Sequence, residues 1–164
     1  MSVIENLENL PEVKIYTDGA YIGNPGPGGW AAICISASGF EKSFTGRSQD
    51  TTNNRMELSA VVGGLSALKR KCRVTLYSDS KYIVDAINKN WLFKWVKNYW
   101  TNTSGDVKNQ DLWQQILNLI TYHHVTFKWV KGHAGNKYNE RCDMLAREES
   151  HIAWSARYGS NQNT

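Results

Sequence analysis

Cysteine is scarce in this sequence, and the few that are present form no recognisable pattern. The three cysteines, Cys34, Cys72 and Cys142, lie far apart and include no CxxC pair. An odd number of isolated cysteines suggests neither a disulfide framework nor a zinc site. Because this usage is typical of proteins in a reducing compartment, we expect a cytoplasmic location.

Long apolar runs and a strong charge imbalance are also lacking. No stretch approaches the length of a membrane-spanning helix, and residues 1–10 alternate polar side chains with single aliphatics, unlike a signal peptide. The chain has 19 Lys and Arg against 15 Asp and Glu, for a net charge of +4. Such a mild basic excess suits a polyanionic partner without requiring one, and no membrane is expected.

The length and composition are those of one globular domain. The chain has 164 residues, of which 41% are hydrophobic, so it can bury its own core. We expect a flexible lead at residues 1–10, a folded domain at 11–152 and a disordered tail at 153–164. We expect a monomer, and the sequence identifies no protein partner.

Two short runs that end in aspartate organise the rest of the chain. Residues 13–19, Val-Lys-Ile-Tyr-Thr-Asp-Gly, are rich in β-forming side chains and lead to a glycine turn, which predicts a strand that places Asp18 at its end. Residues 74–79, Val-Thr-Leu-Tyr-Ser-Asp, repeat this plan with Asp79. If the two strands are parallel neighbours, the carboxylates converge, and they repel each other unless a proton or a metal lies between them.

The order of the remaining elements predicts the fold class. We expect strands at 29–36 and 40–45 joined by a turn at Ser38-Gly39, a helix from about 51–54 to 69–71, a helix capped by Ser80, helices at 111–120 and 136–150, and a strand at 123–130. A meander followed by parallel crossovers predicts an α/β fold with a mixed five-stranded sheet flanked by helices.

Two further acids lie near the predicted starts of helices. Asn54 and Glu57 are spaced like a capping box, and Asp143 follows the start of the last helix, where the helix dipole favours an acid. Strand-end aspartates commonly make local turns, so each acid alone has an ordinary explanation. Together with Asp18 and Asp79 they form an oxygen-donor set that suits Mg²⁺ or Mn²⁺ and the chemistry of phosphoryl transfer.

Five motifs in order resemble those of type 1 ribonuclease H, the bacterial form. They are TDG at 17–19, GNPGPGG at 23–29, TTNNRMEL at 51–58, SDSKY at 78–82 and VKGHAGNKYNERCD at 130–143. The resemblance implies the ribonuclease H-like fold and an endonuclease that cuts the RNA strand of an RNA–DNA hybrid, giving 5′-phosphate and 3′-hydroxyl ends. It implies two Mg²⁺ ions, for which Mn²⁺ can substitute, held by four acids: Asp18, Glu57, Asp79 and Asp143.

The resemblance also implies roles for residues outside the acids. His133, between glycines in a loop, matches a residue of proton transfer or product release, although a lone histidine is ordinarily just a surface side chain. The positions that match contacts to the hybrid are Tyr21, Asn24, Thr52, Asn53, Asn54, Lys81, Trp91, Trp95, Lys97, Asn109 and Asn139. Of these, Thr52 and Asn109 match residues that hold a phosphate of the DNA strand. Asp50 stands where a basic partner is often found, so we expect a weaker pocket.

Other interpretations remain open at this point. The tryptophans near residues 91–100 match a protruding substrate handle, but they also suit an amphipathic helix that buries its rings against the body. A related polynucleotidyl transferase shares strand-end acids, although no added end-joining segment is present. A non-catalytic hybrid-binding module would dispense with an acid, whereas all four are present.

Overall fold

The computed structural model describes residues 7–159 and begins with a short 3₁₀ turn at Leu7–Asn9. The strands are β1 (Glu12–Tyr21), β2 (Gly26–Ser36), β3 (Glu41–Thr51), β4 (Arg73–Ser78), β5 (Thr101–Asn102), β6 (Gly105–Asp106) and β7 (His124–Trp129). The helices are α1 (Asn53–Ser66), α2 (Lys81–Asn88), α3 (Trp91–Lys97), α4 (Gln110–Tyr122) and α5 (Lys137–Tyr158).

The main sheet has five strands in the order β3-β2-β1-β4-β7. The first three strands form an antiparallel meander, and β4 and β7 then add in parallel to β1. The predicted mixed five-stranded sheet is therefore confirmed. Strands β5 and β6 form a separate small hairpin between α3 and α4 that we did not expect.

Helices cover the two faces of the sheet unequally. The larger core lies between the sheet and α1, α2 and α4, and Ile15, Leu58 and Trp113 are completely buried there. At Gly64 of α1, an added Cβ would lie 2.9 Å from the Ile15 side chain, so glycine allows the helix to pack closely on β1. On the other face α5 packs against β1 and β2. Cys142 of α5 forms a small buried cluster there with Tyr16 and Ile33.

The start and end of α1 differ from the prediction. The N-cap is Thr52, whose hydroxyl accepts a hydrogen bond of 3.3 Å from the backbone N–H of Arg55. The predicted capping box of Asn54 and Glu57 is therefore wrong, since both residues lie inside the helix. The helix ends at Ser66 rather than near residues 69–71, and Leu68 packs against the core from the turn that follows.

The last helix is longer than predicted. It continues past Ser150 to Tyr158 because Ala153 is buried and the guanidinium of Arg157 donates a 2.9 Å hydrogen bond to the carbonyl oxygen of Gln49. Residues 153–158, which we assigned to the tail, thus continue the helix. Residues 1–6 of the predicted lead and 160–164 of the predicted tail lie outside the described residues.

The three cysteines lie inside the fold. All three cysteines are buried and free, so they form no disulfide. Among residues 7–159, no helix combines the length and apolar character needed to cross a membrane.

Candidate active site

Parallel pairing of β1 with β4 brings two aspartates together. Tyr16 pairs with Tyr77 and Thr17 with Ser78, so Asp18 and Asp79 follow at the same end of neighbouring strands. The two tyrosine rings stack with their centroids 4.6 Å apart, which fixes the strands beneath the acids. The convergence predicted from the two aspartate-ending runs is confirmed.

Helix α1 delivers a third acid to this point. An added Cβ at Gly19 would lie 2.5 Å from the backbone nitrogen of Glu57, so only glycine lets α1 approach β1 so closely here. As a result Asp18, Glu57 and Asp79 each offer an oxygen, and these atoms lie within 4.8 Å of one another. Asp18 is 3% exposed and Glu57 is 6% exposed.

The acids strongly perturb one another. Burial, followed by the charges of Asp79 and Asp143, raises the pKa of Asp18 to about 8, against only partial compensation from the backbone N–H of Gly19. Burial and the neighbouring Asp18 raise the pKa of Glu57 well above its usual range. Burial also raises the pKa of Asp79. The site therefore concentrates negative charge. A bound proton or cation lowers the electrostatic repulsion among these buried carboxylates.

The donor set suits a hard divalent cation. It consists of carboxylate oxygens alone, which are the ligands that Mg²⁺ and Mn²⁺ prefer. The Oε2 atom of Glu57 is buried and has no hydrogen-bond partner. An unpaired buried carboxylate oxygen is costly, and coordination to a cation would satisfy it. No zinc-type cluster of cysteine and histidine occurs within the described residues.

The fourth predicted acid lies beside the cluster without being one of its three members. The charge of Asp143 raises the pKa of both Asp18 and Asp79, so it is close to them. Its carboxylate forms a 2.9 Å ion pair with Arg147, one helical turn later. We did not single out Arg147 from the sequence, although its i,i+4 spacing from Asp143 on a helix was a usable signal.

Two other side chains hold Asp79. The amide of Asn139, which is 3% exposed, hydrogen-bonds the Asp79 carboxylate and lowers its pKa against the effect of burial. The indole N–H of Trp129 donates to the backbone carbonyl oxygen of Asp79 at 3.1 Å, and the ammonium of Lys81 lies 4.7 Å from the centroid of the indole. The resemblance predicts that Asn139 contacts the substrate; the structure shows its amide bonded to the Asp79 carboxylate, and the substrate contact stays a prediction. The sequence does not indicate a role for Trp129, because its contact with Asp79 depends on the register between β4 and β7.

His133 lies in the exposed loop between β7 and α5. Its backbone is in the left-handed region, with φ of 55°, and its charge lowers the pKa of Asp79. The neighbouring Gly132 passes close to Asp79, since a Cβ added there would lie 3.0 Å from Oδ2. The loop thus presents an exposed imidazole at the edge of the acid cluster.

The asparagines and threonine predicted to bind substrate surround the start of α1. The carbonyl oxygen of the Asn24 side chain accepts a 3.2 Å hydrogen bond from the backbone N–H of Asn53, which joins the β1–β2 loop to the helix. Asn54 is exposed in the next position. Tyr21, at the end of β1, is 48% exposed. Asn24, Asn53 and Asn54 therefore lie together at the start of α1, the helix that carries Glu57.

A basic residue lies near the predicted phosphate pocket, but not at position 50. The guanidinium of Arg55 donates to the Asn109 side chain at 3.2 Å and makes two hydrogen bonds to Asp111, of 3.0 and 2.7 Å. Thr52 is the cap of the same helix. Arg55 thus brings a positive charge to Asn109 from the first turn of the helix that Thr52 caps, and Asp111 partly neutralises this charge.

The tryptophans of the predicted handle are partly committed to the core. Trp91, Trp95 and Trp100 pack against it, and Trp95 makes an edge contact with Trp113 at 5.5 Å between ring centroids. Lys97 is exposed in the same helix as Trp91 and Trp95. Packing of these half-buried rings against the body is therefore confirmed, and the substrate-handle interpretation stays a prediction.

Comparisons with known proteins agree with this geometry. A family model described as RNase H matches residues 11–151. The chain is 53% identical over 142 residues to a protein named Ribonuclease H from Thermoanaerobacter sp. (strain X514), covering 86% of this chain and 91% of the relative. It is 54% identical over 139 residues to the Ribonuclease H of Caldicellulosiruptor saccharolyticus, covering 84% and 95% respectively.

Solved structures give the same result for the fold. The crystal structure of LC9-RNase H1, a type 1 RNase H with the type 2 active-site motif, superposes with a TM-score of 0.79 at 29% identity, covering 93% of this chain and 84% of that one. LC11-RNase H1, whose crystal structure is a complex with an RNA/DNA hybrid, gives a TM-score of 0.69 at 22% identity, covering 87% and 99%. At this lower identity the second likeness concerns the fold alone.

Proposed function

Because the chain belongs to the RNase H family, we propose that it is an endonuclease that hydrolyses the RNA strand of RNA–DNA hybrids. The products are a 5′-phosphate and a 3′-hydroxyl end. The observation that carries the proposal is the buried convergence of Asp18, Glu57 and Asp79, with one carboxylate oxygen left without a partner. Such a site suits a reaction in which negative charge on phosphate must be neutralised.

The four acids are the residues that would hold the cofactor. Asp18, Glu57 and Asp79 provide the central oxygens, and Asp143 adds a further carboxylate from the adjacent helix. Two Mg²⁺ ions, when bound, supply an activated water and neutralise charge on the phosphate and the leaving oxygen. Asn139 and Trp129 keep Asp79 in place, so the carboxylate is oriented before substrate arrives.

The side chains around the acids bind the duplex and move protons. Asn24, Asn53 and Asn54 present amide groups, which both donate to and accept from a ribose 2′-hydroxyl, and so distinguish RNA from DNA in a wide minor groove. His133 is exposed beside the cluster, and an imidazole there can carry a proton to the leaving oxygen. A phosphate of the DNA strand binds at the side chains of Thr52, Asn109 and Arg55.

Cleavage of matched duplexes tests this proposal. The four substrates are RNA–DNA, RNA–RNA, DNA–DNA and a DNA duplex with one embedded ribonucleotide, each with Mg²⁺, with Mn²⁺ and with chelator. We expect metal-dependent cutting confined to the RNA strand of the hybrid, with 5′-phosphate ends. Cutting of DNA would favour the polynucleotidyl transferase, and hybrid binding without cutting under any metal would favour the binding module.

A further inference from the structure

Asp143 differs from the other three acids of the site in having a cationic partner. Its Oδ2 atom lies 2.9 Å from a terminal guanidinium nitrogen of Arg147. Within the part of the chain that the structure describes, the other three carboxylates form no ion pair with a lysine or an arginine. A neighbouring cation therefore offsets the negative charge of the site at one carboxylate only.

The last helix brings this partner to the site from the solvent side. Asp143 and Arg147 are four residues apart in α5, so their side chains lie on the same side of the helix, one turn apart. Cys142 and Ala146, which precede them, are buried against the sheet. The Asp143 side chain is 17% exposed and that of Arg147 is 62% exposed. Water therefore weakens the attraction between the two charges.

The Asp143 carboxylate also acts on the acid cluster. Burial has the larger effect on the pKa of Asp18 and of Asp79, and the charge of Asp143 raises both values further. Asp143 is nevertheless not one of the three acids whose oxygens lie within 4.8 Å of one another. It is therefore near enough to interact with the cluster, while one of its oxygens is paired with Arg147.

We propose that Arg147 is a positioning residue that keeps the Asp143 carboxylate paired until a divalent cation binds, and so lowers the affinity of the site for that cation. This inference rests on the proposed function and deepens it, because it concerns how the same site takes up its metal. The guanidinium carries one charge and is exposed, whereas a divalent cation carries two and would lie among buried carboxylates. The cation therefore prevails, but the ion pair opposes its binding.

Arg147 differs in this respect from the neutral groups that hold Asp79. The amide of Asn139 and the indole of Trp129 orient their acid without adding charge, and partners of that kind raise metal affinity. A guanidinium also orients its carboxylate, but its positive charge repels a cation bound nearby. Because an aspartate side chain has few rotamers, little orientation is lost when the pair is removed. The repulsion therefore decides the direction of the effect.

Binding of Mn²⁺ to the purified protein, followed by the electron paramagnetic resonance signal of the free ion, tests this without relying on cleavage. Arg147→Gln removes the charge and keeps a polar side chain at an exposed position, so the variant should fold. We expect it to bind Mn²⁺ about fivefold more tightly than the wild type, the upper range for an exposed ion pair. Arg147→Lys, which keeps a charge, should bind Mn²⁺ like the wild type.

Two further comparisons show whether the effect acts through Asp143. Arg141→Gln removes the same charge from the same helix, but Arg141 pairs with Glu41 at 2.8 Å, so its loss should change Mn²⁺ affinity little. In the Asp143→Asn background, adding Arg147→Gln should leave Mn²⁺ binding unchanged, because the guanidinium no longer has a carboxylate to hold.

Three results would overturn the inference. Mn²⁺ binding by Arg147→Gln that equals the wild type or is weaker is the first, and an equal gain in affinity in Arg141→Gln is the second. Both leave the proposed function intact if the wild type binds Mn²⁺ and cleaves the hybrid. The third is a wild type that binds no Mn²⁺, which would also contradict the metal assignment of the proposed function.

Discussion

The indole N–H of Trp129 donates a 3.1 Å hydrogen bond to the backbone carbonyl oxygen of Asp79. The bond joins the end of β7 to the residue that follows β4, and that residue carries one of the three clustered carboxylates. Together with the amide of Asn139, it fixes both the main chain and the side chain of Asp79. Partners of this kind around a metal site orient its ligands and raise metal affinity.

We predict that Trp129→Phe raises the Mg²⁺ concentration needed for half-maximal cleavage by about tenfold. Phenylalanine keeps an aromatic ring but lacks the indole N–H, so the hydrogen bond to Asp79 is lost together with part of the ring, and the free energy of unfolding should fall by about 1 kcal/mol. A magnesium titration of the cleavage rate measures the first effect. The matched control is Asn88→Ala, which removes a 3.1 Å hydrogen bond to the Phe127 carbonyl oxygen of the same strand. Equal magnesium requirements in the two variants would contradict the prediction.

The buried acids should destabilise the metal-free protein as the pH rises. The pKa of Asp18 is raised from its ordinary value of 3.8 to about 8, so the folded state binds the proton more tightly than the unfolded state does. In chelator, the free energy of unfolding should therefore fall between about pH 4 and pH 8, which is the window between the two values. Denaturant unfolding across that range measures it.

Two comparisons identify the acids as the cause of this effect. Asp18→Asn removes the buried charge, so its stability in chelator should vary less with pH and exceed that of the wild type near pH 8. Added Mg²⁺ should stabilise the wild type but not this variant, because a ligand that binds the folded state raises its stability. A steeper pH dependence in Asp18→Asn than in the wild type would refute the assignment.

The exposed loop histidine should affect turnover more than binding. We expect His133→Ala to lower kcat about 100-fold with little change in KM, which is the usual magnitude for loss of a proton-transfer group. His124→Ala is the control, since His124 is also exposed but begins β7, at the end of the strand far from Asp79. Steady-state kinetics on the hybrid distinguishes the two. A normal kcat for His133→Ala leaves this residue without a catalytic role.

A different histidine should make the fold sensitive to acid. His123 is 4% exposed, and its Nδ1 accepts a 3.1 Å hydrogen bond from the backbone N–H of Cys72. Burial, and then the charge of Lys71, lower the pKa of His123 below its ordinary 6.5. The neutral form is favoured in the folded state, so its contribution to stability is present above about pH 6.5 and is lost as the pH falls below that value.

The substitution His123→Asn tests this directly. Asparagine keeps an acceptor for the Cys72 N–H but cannot gain a proton, so stability should vary less between pH 7 and pH 5 than in the wild type. Thermal unfolding at a series of pH values measures the difference. Identical pH profiles would assign the acid sensitivity to other groups.

The sequence predicted those features that depend on local patterns or on simple topology. Alternation and turn residues located β1 and β4, and their parallel pairing then required Asp18 and Asp79 to meet. The helical extension to Tyr158 was missed because polar residues follow Trp154, while the contact that stabilises it, from Arg157 to the Gln49 carbonyl oxygen, is distant in sequence. Local propensity does not report such contacts.

Contacts between side chains from different elements were the least predictable part of the site. The bond from Trp129 to Asp79 depends on the register between β4 and β7, which no local signal reveals. The cap of α1 was misassigned because Thr52 and Asn54 both suit the first position of a helix, and pairing of β3 with β2 as far as Thr51 decides between them.

The measurement that tests the account most directly is cleavage of an RNA–DNA hybrid by Asp18→Asn in Mg²⁺, with hybrid binding measured in parallel. Asp85→Asn is the matched control, because Asp85 pairs with Lys89 at 3.5 Å on α2, outside the acid cluster. We predict that Asp18→Asn binds the hybrid but does not cut it, whereas Asp85→Asn cuts its RNA strand at the wild-type rate. Cleavage by Asp18→Asn at the wild-type rate would contradict the proposal that the clustered acids hold the catalytic metal.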